Sequence, residues 1–365
     1  MNNGQIITRS KIIKGVKLFT ALTVIGILFI LYRSSFTESF SSLRNFKISY
    51  LLIIIALVLF DWFFSAYRIY LFVSKVHPGI SYGGCVRANL ANIFLGGVTP
   101  SQTGGGAGQI YVLYKEGMHV IDATIVSFIG FLNTVIILPI CGILINVFIK
   151  PEFENIALRY FSTTSIALFG LILAAVIFSL IDPGRFERVA RSLLMIIPFL
   201  QKKTKESVVL RKFFEMARRY HDLMLYFMKH GRHILAAGFI MTAVIFFNKF
   251  VIAYAVISGL GIVVNFWQVI YLQLLLILIF YFSPTPGASG MAEISSVFIM
   301  GQIVPKSHQG IFVLLWRFFT LFAGMTVGAC VLMRYWLRDD REKITPLYEG
   351  DRELGAIKEK MGAGS

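Results

Sequence analysis

Apolar residues run along this chain in blocks too long and too uniform to be one face of a soluble helix. Six blocks, residues 16–32, 48–73, 121–149, 157–181, 234–259 and 311–337, match or approach the roughly 20 residues that cross a bilayer as a helix. The first is the shortest, and Lys14 and Lys17 can extend it by snorkelling. Two further apolar stretches are interrupted by the same pattern, T-P-x-x-x-G. It reads Thr99-Pro100-Ser101-Gln102-Thr103-Gly104 in one and Thr285-Pro286-Gly287-Ala288-Ser289-Gly290 in the other, 186 positions on. Proline removes a backbone donor and clashes with the preceding turn, and glycine frees the backbone, so each motif should end one helix and let another start. The flanking limbs, 83–98 with 107–118 and 266–282 with 290–303, are predicted to form two re-entrant hairpins. At about 1.5 Å per residue, limbs of 12 to 16 residues give roughly 18–24 Å against a hydrocarbon core of about 30 Å. Limb 266–282 is the longest and comes nearest to spanning.

A displacement of 186 aligns more than the motifs. It lays 48–73 on 234–259, the hairpin at 83–118 on 269–304, and 121–149 on 307–335. The unit is span, hairpin, span. Three crossings separate the two starts, so the second copy should run upside down, with the two breaks meeting near mid-bilayer as in secondary transporters built from inverted repeats. The expected fold is therefore an all-α integral membrane protein, a polytopic helical bundle with six full spans and two re-entrant broken-helix hairpins in an inverted repeat. Its parts are a cytoplasmic N-terminus (1–15), membrane half one (16–181) with hairpin 83–118, a basic amphipathic cytoplasmic segment (182–232), membrane half two (233–337) with hairpin 266–303, and a cytoplasmic tail (338–365).

Composition fixes the class. Hydrophobic residues make up 56% of 365, with 34 Phe, and the mean hydropathy is +0.73, more apolar surface than a soluble domain can hide. The formal charge of +16 is concentrated: between Arg185 and Arg232 there are 12 Lys/Arg against 4 Asp/Glu. A basic segment so placed belongs against the anionic cytoplasmic leaflet, and no nucleic-acid recognition motif accompanies it. Both termini then lie in the cytoplasm of a multi-pass cell (plasma) membrane protein, although the 33–47 loop, with Arg33, Arg44 and Lys47, falls outside. Phe213, Ala217, Tyr220, Met224 and Phe227 recur at helical spacing within the basic segment, as in a helical hairpin lying in the head-group layer. The three cysteines, Cys85, Cys141 and Cys330, suggest neither a disulfide framework nor a metal site.

The candidate chemistry lies at the breaks. Helices starting near Ala107 and Met291 would aim unsatisfied N–H groups and positive dipole ends at the centre, where an anionic head group is the natural guest. Gly104, Gly105, Gly106 and Gly108 would let it approach the backbone, or would serve only close helix packing. Glu293 could cap its own helix or bind a cationic group. Arg317 could grip phosphate with its planar fork or pair with Glu293. Lys249 and Asp61 are secondary candidates, and Arg87 and Lys115 sit near the cytoplasmic mouth. Asn89, Asn92, Gln102, Gln109 and Gln273 supply uncharged donors that can also satisfy broken backbone. The substrate-binding set is thus Thr99, Pro100, Gln102, Gly104, Gly105, Gly106, Gln109, Thr285, Pro286, Gly287, Gly290, Glu293 and Arg317. No catalytic, metal or cofactor site is expected, since no G-x-S-x-G, H-E-x-x-H or Walker pattern occurs.

Thr99-Pro100-Ser101-Gln102-Thr103-Gly104-Gly105-Gly106 leading into Tyr111-Val112-Leu113, with Pro286-Gly287-Ala288-Ser289-Gly290-Met291-Ala292-Glu293 downstream, resembles the lysylphosphatidylglycerol synthase transmembrane-region family over residues 10–337. In that family the first motif often carries an acidic residue where this chain has Gly106 and a basic one where it has Gln109, and the second motif usually reads P-G-G where this chain has Pro286-Gly287-Ala288. The resemblance implies a flippase-like domain that moves lipids between leaflets: phospholipids, aminoacyl-phospholipids or lipid-linked sugars. The soluble aminoacyltransferase domain of bifunctional members is not expected here, because the longest soluble stretch, 182–232, is far shorter than a domain. The expected partners are membrane lipids with an anionic head group, with a homo-oligomer left open. An enzyme or enzyme subunit acting on a lipid head group, as a phosphatidylglycerol lysyltransferase would, and a small-solute carrier are the alternatives.

Overall fold

In the computed structural model, the residues described are 46–148, 156–181 and 231–337, with a few isolated positions besides. The expected first span (16–32), the basic segment apart from its last residues, and the termini (1–15 and 338–365) lie outside them. What is described folds into helices: α1 (Ile48–Val76), α2 (Tyr82–Gly97), α3 (Gly104–Lys115), α4 (Val120–Phe148), α5 (Ile156–Ile181), α6 (Arg232–Gly259), α7 (Phe266–Phe282), α8 (Met291–Met300) and α9. The last starts as Lys306–Arg317, passes through a π-helical turn at Phe318–Phe322 and continues to Leu337. Among the described residues four helices, α1, α4 over Val120–Ile140, α6 and α9, are long and apolar enough to cross a membrane.

The local sequence explains most boundaries. Ser81 caps α2, its hydroxyl accepting from Gly84 N at 3.2 Å, and Asn265 caps α7 by accepting from Trp267 N at 2.9 Å. Helix α3 starts at Gly104, three residues before the expected Ala107, because Thr99 Oγ1 accepts from Gly104 N at 2.8 Å and so satisfies one of the orphan donors of the first turn. Helix α9 starts before the expected residue 311, since Pro305 presets its entry and Gln309 ties its side chain to Val304 O at 3.0 Å. Displaced by 186 positions, α1 to α4 fall on α6 to α9 with starts agreeing within about two residues, so the repeat read from the motifs is a repeat of helices.

The corresponding helices α1 and α6 pack together and run antiparallel. Lys47 N donates to Gly259 O, Asn248 Nδ2 to Leu57 O, Lys249 pairs with Asp61, Arg68 donates to Thr242 Oγ1, and Gly238 lies against the Phe72 ring. That is the relation two oppositely directed copies require. The interior has two main apolar clusters. One gathers the second half of α1 with α2, α3 and the start of α4, closed by Met325, Leu332 and Tyr335 of α9. The other joins Ile54 and Val58 of α1 to α6, α7, α8 and the first turns of α9. Outward, α1 presents Leu52, Ile53, Ile55, Leu59, Phe60 and Phe63 uncovered, a face suited to lipid and costly in water. The described chain is an all-helical membrane protein.

Candidate functional site

The two breaks meet. Pro100 and Pro286 form an antiparallel backbone bridge. Ser101 donates both its N–H, at 3.1 Å, and its hydroxyl, at 2.9 Å, to Ser283 O, and Gly287 N reaches Thr99 O at 3.4 Å. Thr99 Oγ1 returns to Leu95 O at 2.6 Å, and the Ser283 and Thr285 hydroxyls lie 2.9 Å apart. Each interrupted helix therefore satisfies backbone groups that the other has freed, which is how non-helical backbone survives without water. The geometry is strained where the chains cross: Ser101 (φ 49°), Gln102 (φ 56°) and Ala288 (φ 56°) occupy the left-handed region that favours glycine.

The glycines after the first break mainly admit α3 against α2. A Cβ on Gly104 would stand 2.5 Å from the Thr99 side chain, one on Gly105 2.8 Å from Asn92 Oδ1, and one on Gly108 2.6 Å from Ala91 O. Gly106 differs, with nothing within 4 Å of an added Cβ. Gln109 is buried and turned into the hairpin, accepting from Asn92 Nδ2 at 3.1 Å.

In the second copy, Gly290 (φ 80°) opens α8 and its N–H donates to Glu293 Oε2 at 2.6 Å. The other carboxylate oxygen lies 3.2 Å from Arg317 Nε, an ion pair whose N–H is not aligned as a hydrogen bond, with side chains only 6% and 1% exposed. Arg317 also donates from Nη2 to Gly287 O at 2.9 Å, and its guanidinium lies over the Phe322 ring. Both roles read for Glu293, cap and partner of Arg317, coexist. The π-helical turn directly after Arg317 widens α9 at this level, and Thr320 and Leu321 within it face the cavity described next.

A cavity of about 260 Å³ lies where the two apolar clusters meet. Of the sequence-selected residues it brings together Gln102, Gly287 and Arg317, with Asp61, Lys249, Asn89, Asn92 and Gln273. Thr99, Pro100, Gly104, Gly105, Gly106, Gln109, Thr285, Pro286, Gly290 and Glu293 are not among its lining residues; Pro100 and Pro286 pair through their backbones, Glu293 pairs with Arg317, and Gln109 bonds Asn92. Arg87 and Lys115 lie elsewhere: Arg87 binds Glu116 with two nitrogens, at 2.8 and 3.0 Å, and Tyr335 bonds both partners, which ties the first hairpin to α9. Sequence reading passed over Arg68, Ser65 and Thr134, all of which line the cavity. Asp61, Ser65 and Arg68 stand at i, i+4 and i+7 on α1 and share one face, a spacing that could have revealed them. Across from them Lys249 Nζ meets Asp61 Oδ2 at 2.8 Å, and Arg68 Nη1 meets Thr242 Oγ1 at 2.9 Å.

The wall thus carries three cations, one carboxylate and several amides inside an apolar protein. Such a surface has the chemistry to hold an anion that also accepts hydrogen bonds. Residues 15–328 match the family model described as lysylphosphatidylglycerol synthase TM region. The chain belongs to that family. A similar protein is the UPF0104 membrane protein of Archaeoglobus fulgidus, 24% identical over 318 residues, covering 86% of this chain and 94% of that relative. For this member of the lysylphosphatidylglycerol synthase TM region family, each T-P-x-x-x-G break gives one residue to the cavity lining, Gln102 and Gly287, and α1, α6 and α9 give its charges.

Proposed function

We propose that this family member moves lipids with an anionic polar head group between the leaflets of the cell membrane, with both termini cytoplasmic. The two hairpins enter from opposite sides as re-entrant elements, their breaks meet at mid-bilayer, and the head group passes through the cavity between them while the acyl chains stay in lipid. One observation carries the reading: a cation-lined polar cavity sits at the junction of two antiparallel helical copies whose exterior is apolar. Charge at membrane depth costs at least about 2.5–3.5 kcal/mol per group on insertion scales, and with Lys249 paired to Asp61 and Arg317 to Glu293, the positive charge of Arg68 stands in excess at the cavity and needs a purpose beyond packing. Arg317 supplies the planar fork for phosphate, Gln102, Asn89 and Asn92 supply amides, and the antiparallel pairing of α1 with α6 suits alternating access. The test is translocation of acyl-labelled lipid in reconstituted vesicles. The wild type should move an anionic phospholipid, and Arg317→Ala and Glu293→Gln should slow it while inserting normally. Wild-type rates in both variants would overturn the assigned roles.

A further inference from the structure

The helices that close the two copies, α4 and α9, carry a fault at the same level. In α9, Ala323 N donates to Phe318 O, five residues back, which is the wide turn of a π-helix. In α4, Pro139 has no N–H to give to Val135 O, so the ladder is open there. The displacement of 186 lays Val135 on Leu321, inside the π-helical turn. It also lays Thr134 on Thr320. Both threonines line the cavity, and each returns its hydroxyl to the carbonyl four residues back, Thr134 Oγ1 to Gly130 O at 3.4 Å and Thr320 Oγ1 to Trp316 O at 2.6 Å. Back-bonding of this kind bends helices, as prolines and π-turns do. Two different local chemistries thus weaken the same point of the repeat.

Each fault lies where its helix passes from one hairpin to the other. Before the π-helical turn, α9 belongs to the second hairpin: Arg317 holds Glu293 and Gly287 O, and Phe312 and Trp316 are buried with α7 and α8. After it, α9 belongs to the first hairpin. A Cβ on Gly324 would stand 3.0 Å from Ile93, one on Gly328 would overlap Leu90 O, and Met325 and Leu332 are buried with α2 and α3. Between these anchored parts, none of Phe318–Phe322 is buried. Helix α4 makes the reverse passage, with Ala123, Val126 and Ile129 in the cluster of the first hairpin and Val135 and Leu138 packed with Leu274 and Leu278 of α7.

We infer that α4 and α9 are a matched pair of hinges on which the two hairpins rock against each other, opening and closing the cavity between them. The purpose of the motion rests on the transport reading; the hinges themselves rest on the helix faults. A rigid rod anchored to both hairpins would fix their separation, whereas a bend of about 20° at the π-helical turn moves Met333, roughly 15 Å further along the axis, by about 5 Å.

Two variants straighten the helices and leave every charge in place. Deleting Phe318 removes the extra residue that the wide turn accommodates, so the flanks keep their faces. Pro139→Ala restores the donor to Val135 O with no change of register. Spin labels go on Phe298→Cys of α8 and Met333→Cys of α9, both exposed positions, in the full chain with its three native cysteines replaced by alanine. Distances are measured in phosphatidylcholine vesicles with and without phosphatidylglycerol, and translocation of acyl-labelled phosphatidylglycerol is followed in parallel. The unstraightened chain should show two distances about 5 Å apart whose balance shifts with phosphatidylglycerol. Each straightened variant should show one distance, an equal or higher midpoint of thermal unfolding, and transport slowed about tenfold or more. If the deletion variant does not insert, Pro139→Ala decides by the same readouts. A single distance in the unstraightened chain in both lipid mixtures, wild-type transport in the straightened variants, or slowed transport with both distances retained would overturn the hinges. Two distances without movement of phosphatidylglycerol would support the hinges and overturn the transport reading.

Discussion

The Glu293–Arg317 pair gives the sharpest energetic test, because a structural role and the proposed role in transport fall on the same two side chains. In Arg317→Met the long apolar side chain fills much of the arginine volume, but Glu293, 1% exposed, is left as a buried carboxylate with only the Gly290 N–H. Removing one partner of a buried pair costs about 3–5 kcal/mol, mostly from the orphaned charge. Gly287 O loses its donor at the same time, about 1–3 kcal/mol if nothing replaces it. In the double variant Glu293→Gln/Arg317→Met, the glutamine oxygen still accepts from Gly290 N, no buried charge remains, and only the Gly287 term persists. The double variant should therefore be about 2 kcal/mol or more stabler than Arg317→Met alone, a strong departure from additivity. Reversible unfolding in mixed micelles, run as a double-mutant cycle, measures this. Translocation in vesicles separates the roles: the double variant should fold almost normally and still fail to move anionic lipid. A double variant no stabler than Arg317→Met would refute the buried-pair energetics, and one that transports at the wild-type rate would show that Arg317 serves the fold alone.

The glycines after the first break should divide by environment. Gly108→Ala drives a methyl towards Ala91 O and should cost about 1–3 kcal/mol through overpacking, whereas Gly106→Ala, in open space, should be neutral or gain up to about 1 kcal/mol of helix propensity; thermal unfolding distinguishes them. If Gly106 lets a head group approach the backbone, its alanine variant will also transport more slowly despite equal or higher stability. Ala288→Gly relieves a left-handed conformation and should stabilise by roughly 0.5–1 kcal/mol, read as a higher midpoint of thermal unfolding. Tyr335→Phe removes a hydroxyl from a cluster in which Arg87 still holds Glu116 with two nitrogens, so it should cost only about 1 kcal/mol by the same measurement, with transport unchanged.

The architecture was legible because a bilayer punishes irregularity. Pro100 and Pro286 inside apolar runs could not be ordinary loops, and two such faults at one spacing implied a repeat, which the matching helix boundaries bear out. Glu293 and Arg317 were legible for the same reason, being charges where hydrocarbon-facing residues were due. Arg68 escaped notice among Ala66, Tyr67 and Ile69 near the end of an expected span, where snorkelling is the ordinary explanation. Only its register with Asp61, two turns earlier, marks it as facing inward. Gln109 shows the opposite limit, since a polar residue at helical spacing carries no sign of whether it faces a guest or, as here, Asn92 of the neighbouring limb. The π-helical turn at Phe318–Phe322 has no sequence signature at all, because five apolar residues satisfy an α- or a π-turn equally well.

The pairing of the breaks explains why the fold needs two copies. A single hairpin would end α2 with the Thr99 carbonyl exposed and begin α3 through two residues in left-handed conformations, with nothing apolar able to satisfy either. The second hairpin answers in kind: Gly287 N meets Thr99 O, and Ser101 meets Ser283 O through both its N–H and its hydroxyl. Because the copies run antiparallel, their faults face one another as the edges of two strands do, and a minimal antiparallel bridge closes where a helix could not continue. What remains open beside that bridge is a space walled by helix ends and by the charges of α1, α6 and α9 rather than by continuous apolar faces. The cavity is therefore a geometric consequence of joining two broken helices, and its charge is an added property of Asp61, Arg68, Lys249 and Arg317.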